Sequence, residues 1–549
     1  MSLPNSAPHV GTVNYDQAQV PGTVYLIDLD GHLNACHESR RSDIVLVPTP
    51  SSDPDDPLNW SPVRKRVGLL CSITYCTTVG ICSAALYSVL GDISANSDLS
   101  LADLNAGTGY MFLFAGIGCL AFQPLALQFG KRPVYLMSLL GNLGMMLWAP
   151  YTTSKGEWFA SKILQGLFSA PLESLCEITI ADLYFVHERG FYMSFYALAL
   201  SGSSMSAPIF AGLIAAGQSW KWVFFWCAIL CAVTIVVLFF FLEETNYKRS
   251  NVPVVLGGVN NPISLEATLS GDRKPDTGTV QSNMNPGIES KGTQVTYLKQ
   301  RSFLDKLKLF DRARMGSNGA FLPMLWLPFK CMRLPLIVFC GFYYGSSLVW
   351  YSVLNGTAAL ILEGQYGFST TAIGASFVAP LLGVFAGSAY TAYFGNPWTL
   401  HQARKNNGIL EAEHRLWLLT PPIMLLPLGL VLWGVGAAQK VHWFGVLFAM
   451  FIVSGTSALS VQGSTTYCIE SYHLISGQAM VSIMLIRNTM SFAVNYGLTT
   501  WVTNMGLQNA FILAAVAGAF QTASVLPVIK WGKVLRKRSV STYFKYANL

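Results

Sequence analysis

Charged residues are scarce in this sequence. Only 11% of its 549 residues are Asp, Glu, Lys or Arg, whereas a soluble globular protein carries roughly 25%. Hydrophobic residues make up 52% of the chain, and the mean hydropathy is +0.42. So few charges could not cover the surface of a soluble chain, and so apolar a composition excludes a disordered one. The composition therefore predicts a polytopic membrane protein.

Motifs typical of several other protein classes are missing as well. The 11 cysteines include no C-x-x-C pair, the spacing of zinc and redox sites, so we expect free, packed thiols. The sequence contains neither a G-x-x-x-x-G-K-[ST] phosphate loop nor an H-E-x-x-H motif. We therefore expect no ATP-driven step, no cofactor, no metal site and no enzyme activity. The net charge of +7 does not indicate nucleic acid, because the basic residues fall in short clusters between apolar stretches.

The apolar residues are grouped in long runs. A membrane-crossing helix needs about 20 apolar residues, and roughly twelve such runs can be counted. They lie near 66–90, 106–128, 133–153, 157–182, 191–216, 219–242, 335–361, 368–394, 416–437, 442–468, 475–504 and 509–531. A polar stretch separates the sixth run from the seventh, and within it the spacing of apolar residues at 299–314 predicts an amphipathic surface helix.

We therefore predict an all-α membrane protein with twelve transmembrane helices in two six-helix bundles. The bundles are expected at 64–242 and 334–531, joined by a linker at 243–333. Tails are expected at 1–63 and 532–549, without a cleavable signal peptide because the first 60 residues are polar. Lys and Arg concentrate in both tails, in the linker and in alternate loops, which predicts that both termini are cytoplasmic. We expect the membrane to be the plasma membrane.

Four separated motifs carry a family resemblance. They are Leu46-Val-Pro with Asp55-Asp-Pro-Leu-Asn-Trp-Ser61, Phe129-Gly-Lys-Arg-Pro-Val-Tyr135, Ala181-Asp-Leu-Tyr-Phe with His187-Glu-Arg-Gly190, and Gly408 to Trp417. In this order they resemble the major facilitator superfamily, and within it the fungal twelve-helix drug:proton antiporter family. The branch of polyamine and histidinol transporters and secondary-metabolite pumps is the most similar. The resemblance implies a solute site between two six-helix bundles and coupling to protons.

The sequence also departs from the family motifs. Leu127 and Gln128 occupy the Asp and Arg positions of the loop motif after the second helix. Lys162 stands where the R-x-x-Q-G motif of the fourth helix has Arg, and Ala207 and Ala211 replace two glycines of the antiporter motif. The altered antiporter motif leaves the direction of transport open.

Ionisable residues inside a membrane usually face a cavity or a partner. Glu173 and Glu177 are four residues apart, so they stack on one face of the fourth helix. Two neighbouring carboxylates in a low dielectric cannot both ionise cheaply, which predicts that they share a proton or bind a cationic solute. The alternative is purely structural hydrogen bonding. The resemblance implies a proton-linked role for Lys162, whereas a lysine at this depth can also snorkel to the interface.

Other polar residues are candidates for gates and for the solute site. Asp182 and Arg189 are predicted to form an inner salt bridge, and Lys131 and Arg132 to be structural charges beside it. Arg487 lies deep in the eleventh run and needs a partner, for which Glu470 is the candidate. Tyr343, Trp350 and Asn355 fall near one face of the seventh helix, where they either cage a cation or simply pack. Weaker cavity candidates are Tyr75, Tyr196, Gln462 and Asn488.

These features predict a proton-coupled secondary active transporter of a small organic solute, cationic or amphipathic, that works by alternating access. Export of a drug or metabolite is the first expectation. The alternatives are uptake of a cationic nutrient such as a polyamine by proton symport, and a nutrient sensor that does not transport. The expected partners are the solute, protons and the lipid bilayer, without nucleic acid, and we expect a monomer.

Overall fold

The computed structural model describes residues 20–25, 37–38, 41–45, 51, 53, 55–247 and 321–547. The surface helix predicted at 299–314 lies outside these residues. Among these described residues, the first half contains seven α-helices, namely α1 (Pro62–Ala84), α2 (Leu90–Asn96), α3 (Leu101–Phe129), α4 (Lys131–Trp148), α5 (Lys155–Leu183), α6 (Val186–Gly217) and α7 (Trp220–Phe241).

The second half repeats this pattern of long helices. It contains α8 (Phe321–Cys331), α9 (Pro335–Tyr366), α10 (Thr370–Ser376), α11 (Val378–Lys405), α12 (Pro422–Ala438), α13 (Trp443–Ser471), α14 (Ser476–Met505), α15 (Leu507–Ala523) and α16 (Val525–Ala547). The described residues also include four short strands: β1 (Thr23–Tyr25), β2 (His37–Glu38), β3 (Arg41–Val45) and β4 (Ile409–Glu411). β1 pairs antiparallel with β4, and β2 with β3.

The helix boundaries follow from local sequence. Capping boxes of Ser100 with Asp103 and of Ser154 with Glu157 satisfy free backbone amides at the starts of α3 and α5. Gly130 separates α3 from α4 at a φ of +105°, a conformation that L side chains rarely adopt. These signals confine the turns to the places where the apolar runs end.

Nine helices within the described ranges are long and apolar enough to cross a membrane. The helices α4, α5 and α14 fall outside that group, although they pack among the others. α5 and α14 carry buried polar residues of the site described below, which dilute their apolar character. The fold is that of an all-α membrane protein, while the count of twelve spans stays a prediction.

Two differences from the sequence-based expectation concern the ends of the chain. The last apolar run divides near Ser524 into α15 and α16, and α16 continues through most of the segment predicted as a tail, as far as Ala547. Near the other end, residues 23–25 add a strand to β4 of the second half. All ten cysteines that the structure describes are free and buried, as predicted.

The two halves meet along two seams of close helix packing. α3 runs along α14, and a Cβ at Gly116 would lie 3.0 Å from the Cβ of Asn488. α6 runs along α11 and α10, where a Cβ at Gly374 would lie 3.1 Å from the carbonyl oxygen of Pro208. Small residues allow the backbones to approach closely at both seams. Between the seams the halves enclose a cavity.

Candidate functional site

The cavity is lined by residues of both halves. Its wall combines apolar side chains such as Phe112, Leu172 and Leu348 with the phenols of Tyr87 and Tyr351. Eight serines add hydroxyl groups: Ser83, Ser169, Ser201, Ser204, Ser352, Ser454, Ser457 and Ser491. A wall of this kind suits an amphipathic solute, because it offers both apolar surface and many hydrogen-bonding groups.

An ion pair between the halves forms part of the cavity wall. Arg487 of α14 binds Glu173 of α5, and the two side chains are only 3% and 8% exposed. Asn488 donates from Nδ2 to Glu173 Oε2 at 2.6 Å and accepts from Arg487 Nη2 at 2.7 Å. Arg487 Nη1 also lies 3.1 Å from the hydroxyl of Tyr344. These bonds satisfy the two charges and join α5 to α14 inside the protein.

The expected pairing of Arg487 with Glu470 was wrong. Glu470 binds Arg415 instead, at 2.8 Å between Nη2 and Oε1. Glu470 lies at the end of α13, whereas Arg487 lies eleven residues into α14. Eleven residues of helix span about 17 Å, so the two side chains are at different depths.

Glu177 lies one turn further along α5 and has a different environment. It is fully buried, and its carboxylate oxygens form no hydrogen bond of ideal geometry, although the hydroxyl of Tyr196 is near enough to act as a donor. The phenols of Tyr196 and Tyr344 are close enough to interact with it electrostatically. The two stacked carboxylates are therefore not equivalent, because Glu173 has its own cation and Glu177 has none among the residues described.

Lys162 belongs to a separate buried group on the same helix. Its Nζ donates to Gln165 Oε1 at 2.8 Å and lies 4.7 Å from the ring centroid of Trp158. Gln165 in turn donates to the carbonyl of Cys82 on α1 at 3.1 Å. Since Lys162 is only 2% exposed, it does not snorkel to the interface. The proton-linked role that the resemblance implies stays a prediction.

Some aromatic side chains of α9 pack against other helices, whereas another lines the cavity. The Trp350 indole donates to Gln521 of α15 at 3.2 Å, and both residues are buried. Tyr343 and Asn355 are buried too, and none of these three predicted residues is among the described residues that line the cavity. Tyr351 lines it instead. One residue along a helix turns the side chain by about 100°, and sequence spacing did not fix that rotation.

The weaker cavity candidates also lie in different places. The Tyr75 hydroxyl is 2.6 Å from Ser138 Oγ inside the first half, and Tyr196 donates to the carbonyl of Leu172 at 3.4 Å. Gln462 donates to the carbonyl of Gly190 at 3.5 Å, which connects the second half to the start of α6. Of these candidates, Asn488 is the one that the structure places in the Glu173–Arg487 group.

Charged residues also cluster where α4 begins, where α5 ends and at the start of α6. Lys131 binds Asp182, and the backbone amides of Lys131 and Arg132 donate to Glu244 at 3.1 and 3.0 Å. Arg189 donates to the carbonyl of Ala181 at 3.0 Å. The predicted contact between Asp182 and Arg189 therefore stays a prediction, while the described ion pair of Asp182 is with Lys131.

The geometry is that of a solute cavity between two helical halves, and comparison with known proteins agrees with it. A sequence profile of the Major Facilitator Superfamily matches residues 69–495. The chain belongs to this superfamily. It is accordingly a multi-pass membrane protein and a transporter of small solutes.

Three relatives among known fungal proteins illustrate the membership. An uncharacterised MFS-type transporter of Schizosaccharomyces pombe is 28% identical, over 97% of this chain and 95% of its own length. Protein HOL1 of Saccharomyces cerevisiae is 23% identical, over 96% and 97%. The MFS-type transporter paaT of Penicillium rubens is 25% identical, over 82% of this chain and 75% of its own. This transporter thus resembles fungal members of the superfamily along most of its length.

Proposed function

We propose that this transporter couples proton movement to the export of a small organic solute, cationic or amphipathic, by alternating access of the central cavity. The observation that carries the proposal is the environment of Glu177. A charged side chain deep in a membrane protein is costly unless it is paired, and Glu177 is fully buried with no cation among the described residues to pair with it. Binding a proton is the simplest way to neutralise such a carboxylate.

The position of Glu177 allows its protonation to affect the cavity. Glu177 is one helical turn from Glu173, and Tyr344 lies close to both Glu177 and Arg487. A charge on Glu177 would therefore compete with Glu173 for Arg487, while a proton on Glu177 would remove that competition. This gives proton binding a direct effect on the ion pair that joins the two halves.

The cavity itself supports the solute class. Glu173 is the carboxylate among the described residues that line it, and Arg487 binds it. A cationic solute would have to replace Arg487 at Glu173, so solute binding and the interhelical ion pair are mutually exclusive. The phenols and serines of the wall supply hydrogen-bonding groups for the rest of an amphipathic molecule.

Export is proposed because the motifs resemble drug:proton antiporters. Uptake by symport is the second candidate, since Ala207 and Ala211 replace glycines of the antiporter motif. We also propose that both termini lie in the cytoplasm, because Lys and Arg concentrate in the tails, the linker and alternate loops. A monomer in the plasma membrane is part of the same proposal.

The sign of a proton flux distinguishes the candidates. The purified chain is reconstituted into liposomes that contain a pH-sensitive dye, and spermidine or tetraphenylphosphonium is added outside, with protein-free liposomes as background. Antiport makes the lumen more alkaline as the solute enters, whereas symport makes it more acidic. Binding of the solute without any flux would indicate a sensor and would contradict the proposal.

Variants then test the role of Glu177. Glu177→Gln keeps the size of the side chain but removes its titration, so the solute-evoked pH change should be lost. Exchange of labelled for unlabelled solute should persist, because it needs no net proton movement. Glu363→Gln, at an exposed carboxylate on α9, is the matched control and should behave like wild type. A normal pH change in Glu177→Gln would exclude Glu177 as the proton carrier.

A further inference from the structure

The last helix, α16, has an unusual charge composition. Its 23 residues include six Lys or Arg and no Asp or Glu. Two of the six cations face the protein. Lys533 binds Glu411, and the fully buried Arg536 binds Glu411 and Glu413. These pairs neutralise the inward face of α16 and anchor it to the second half.

Hydrogen bonds attach the C-terminal part of the inward face of α16 to the second half. The hydroxyl of Ser539 is 3.0 Å from that of Tyr472, and the Tyr543 hydroxyl accepts from the backbone N–H of Leu474 at 3.2 Å. Tyr472 and Leu474 lie between α13 and α14. α16 therefore contacts the connection between these two helices through Ser539 and Tyr543, in addition to its ion pairs with Glu411 and Glu413.

The other four cations face outward. Lys530, Lys537, Arg538 and Lys545 are exposed, and none of them forms an ion pair with a residue that the structure describes. Exposed apolar side chains share their face, as Trp531, Val534 and Phe544 show. We call these seven residues the outward stripe of α16. A stripe that mixes cations with large apolar groups is typical of a helix at a membrane interface.

The outward stripe continues the membrane-facing surface of α15. The exposed residues of α15 include Leu513, Val516 and Phe520, which are spaced by three or four residues and are wholly apolar. Further along the chain, the exposed residues at this spacing are Pro527, Lys530 and Trp531. Lys530 is the first exposed cation after the start of α15. From Leu507 to Lys530 a helix rises about 35 Å, slightly more than the roughly 30 Å of a bilayer core. The cations thus begin where lipid headgroups are expected.

We propose that the outward stripe of α16 binds the headgroups of anionic phospholipids in the leaflet that this helix reaches. Trp531 and Val534 contact the boundary between acyl chains and headgroups, and the four cations contact phosphate and carboxylate groups. Each Lys or Arg near a negatively charged lipid surface adds to the free energy of attraction between the protein and that surface. The chemistry requires negative charge on the lipid and no particular headgroup. This inference is independent of the proton coupling proposed above.

The test compares anionic with zwitterionic lipid around the full-length protein. The chain is reconstituted in phosphatidylcholine liposomes with a trace of dansyl-labelled phosphatidylserine or dansyl-labelled phosphatidylcholine, and energy transfer from tryptophan to dansyl is measured. Wild type should transfer more to the anionic lipid. In Lys537→Gln/Arg538→Gln the relative association constant for that lipid should fall several-fold, at most about fivefold per cation at low salt. Dansyl-phosphatidylglycerol should give the same preference as phosphatidylserine.

A matched control and a salt titration make the result decisive. Lys221→Gln/Lys440→Gln removes two exposed cations elsewhere and should keep the preference of wild type. Added salt should weaken the preference of wild type, because salt screens exposed charges, and this measurement needs no variant. Equal transfer to both lipids in wild type, or an unchanged preference in the α16 double variant, would overturn the proposal. A preference for phosphatidylserine over phosphatidylglycerol would also contradict it.

Discussion

Replacing Arg487 by methionine removes the cation that binds Glu173 while keeping much of the side-chain volume. The remaining Glu173 is buried and keeps only the Nδ2 donor of Asn488 as a described partner. Removal of one member of a buried ion pair typically costs about 3–5 kcal/mol, because a charge is left without compensation. Glu173→Gln should be destabilising for the same reason, since it leaves the buried guanidinium without its carboxylate.

The double variant Arg487→Met/Glu173→Gln removes both charges. Buried ion pairs can often be replaced by neutral groups at little cost, so the double variant should be more stable than either single variant. Such a coupling between two changes identifies a direct interaction. Arg487→Lys should recover only part of the stability, because one ammonium group cannot reproduce the planar fork that reaches Glu173, Tyr344 and Asn488 together.

Thermal unfolding of the detergent-purified proteins, followed by intrinsic fluorescence, measures these effects. Midpoints are compared, because a chain of this size need not unfold in two states. Arg333→Ala, at an exposed cation before α9, is the control and should keep the wild-type midpoint. Single variants with wild-type midpoints, or a double variant whose loss equals the sum of the two single losses, would refute the reasoning.

Two further predictions concern the solute cavity and the orientation. Trp350→Phe should lower stability by about 1 kcal/mol, because the hydrogen bond to Gln521 is lost, and should leave the apparent affinity for solute in the flux assay unchanged. Tyr351→Phe should instead change that affinity with little effect on the unfolding midpoint. If Trp350→Phe changed the affinity and Tyr351→Phe changed only the midpoint, the two residues would be assigned to the wrong environments. An epitope inserted near Asn283 should remain uncut when protease is added to intact cells, since the linker is predicted to be cytoplasmic. Cleavage there would contradict the orientation.

Much of the architecture could be predicted from the sequence because it depends on local quantities. The length of an apolar run decides whether a segment can form a spanning helix, and most of the predicted runs correspond to long helices within the described ranges. The placement of Glu173, Glu177 and Arg487 inside such runs follows from the same local property. The length of α16 could not be read in this way, because its stability depends on Glu411 and Glu413, more than a hundred residues away.

The candidate site was predicted only in part. Glu173 and Asn488 were named as solute or proton candidates, and the structure places both in the ion-pair group at the cavity. The eight serines of the wall were missed, because serine in membrane helices also serves close packing. Sequence position does not distinguish these two uses.

What the sequence by itself determined is the class of protein, its division into two groups of helices and which ionisable residues lie within them. What only the tertiary structure decided is which of those residues meet. Arg487 and Glu173 are 314 positions apart in the chain, and their contact depends on how α5 and α14 are rotated and at what depth they cross. Tyr351 rather than Trp350 lines the cavity, and this depends on the rotation of α9 in the same way. Rotation and depth are set by side-chain packing between helices that are distant in sequence, and hydrophobic periodicity in any one of them does not contain that information.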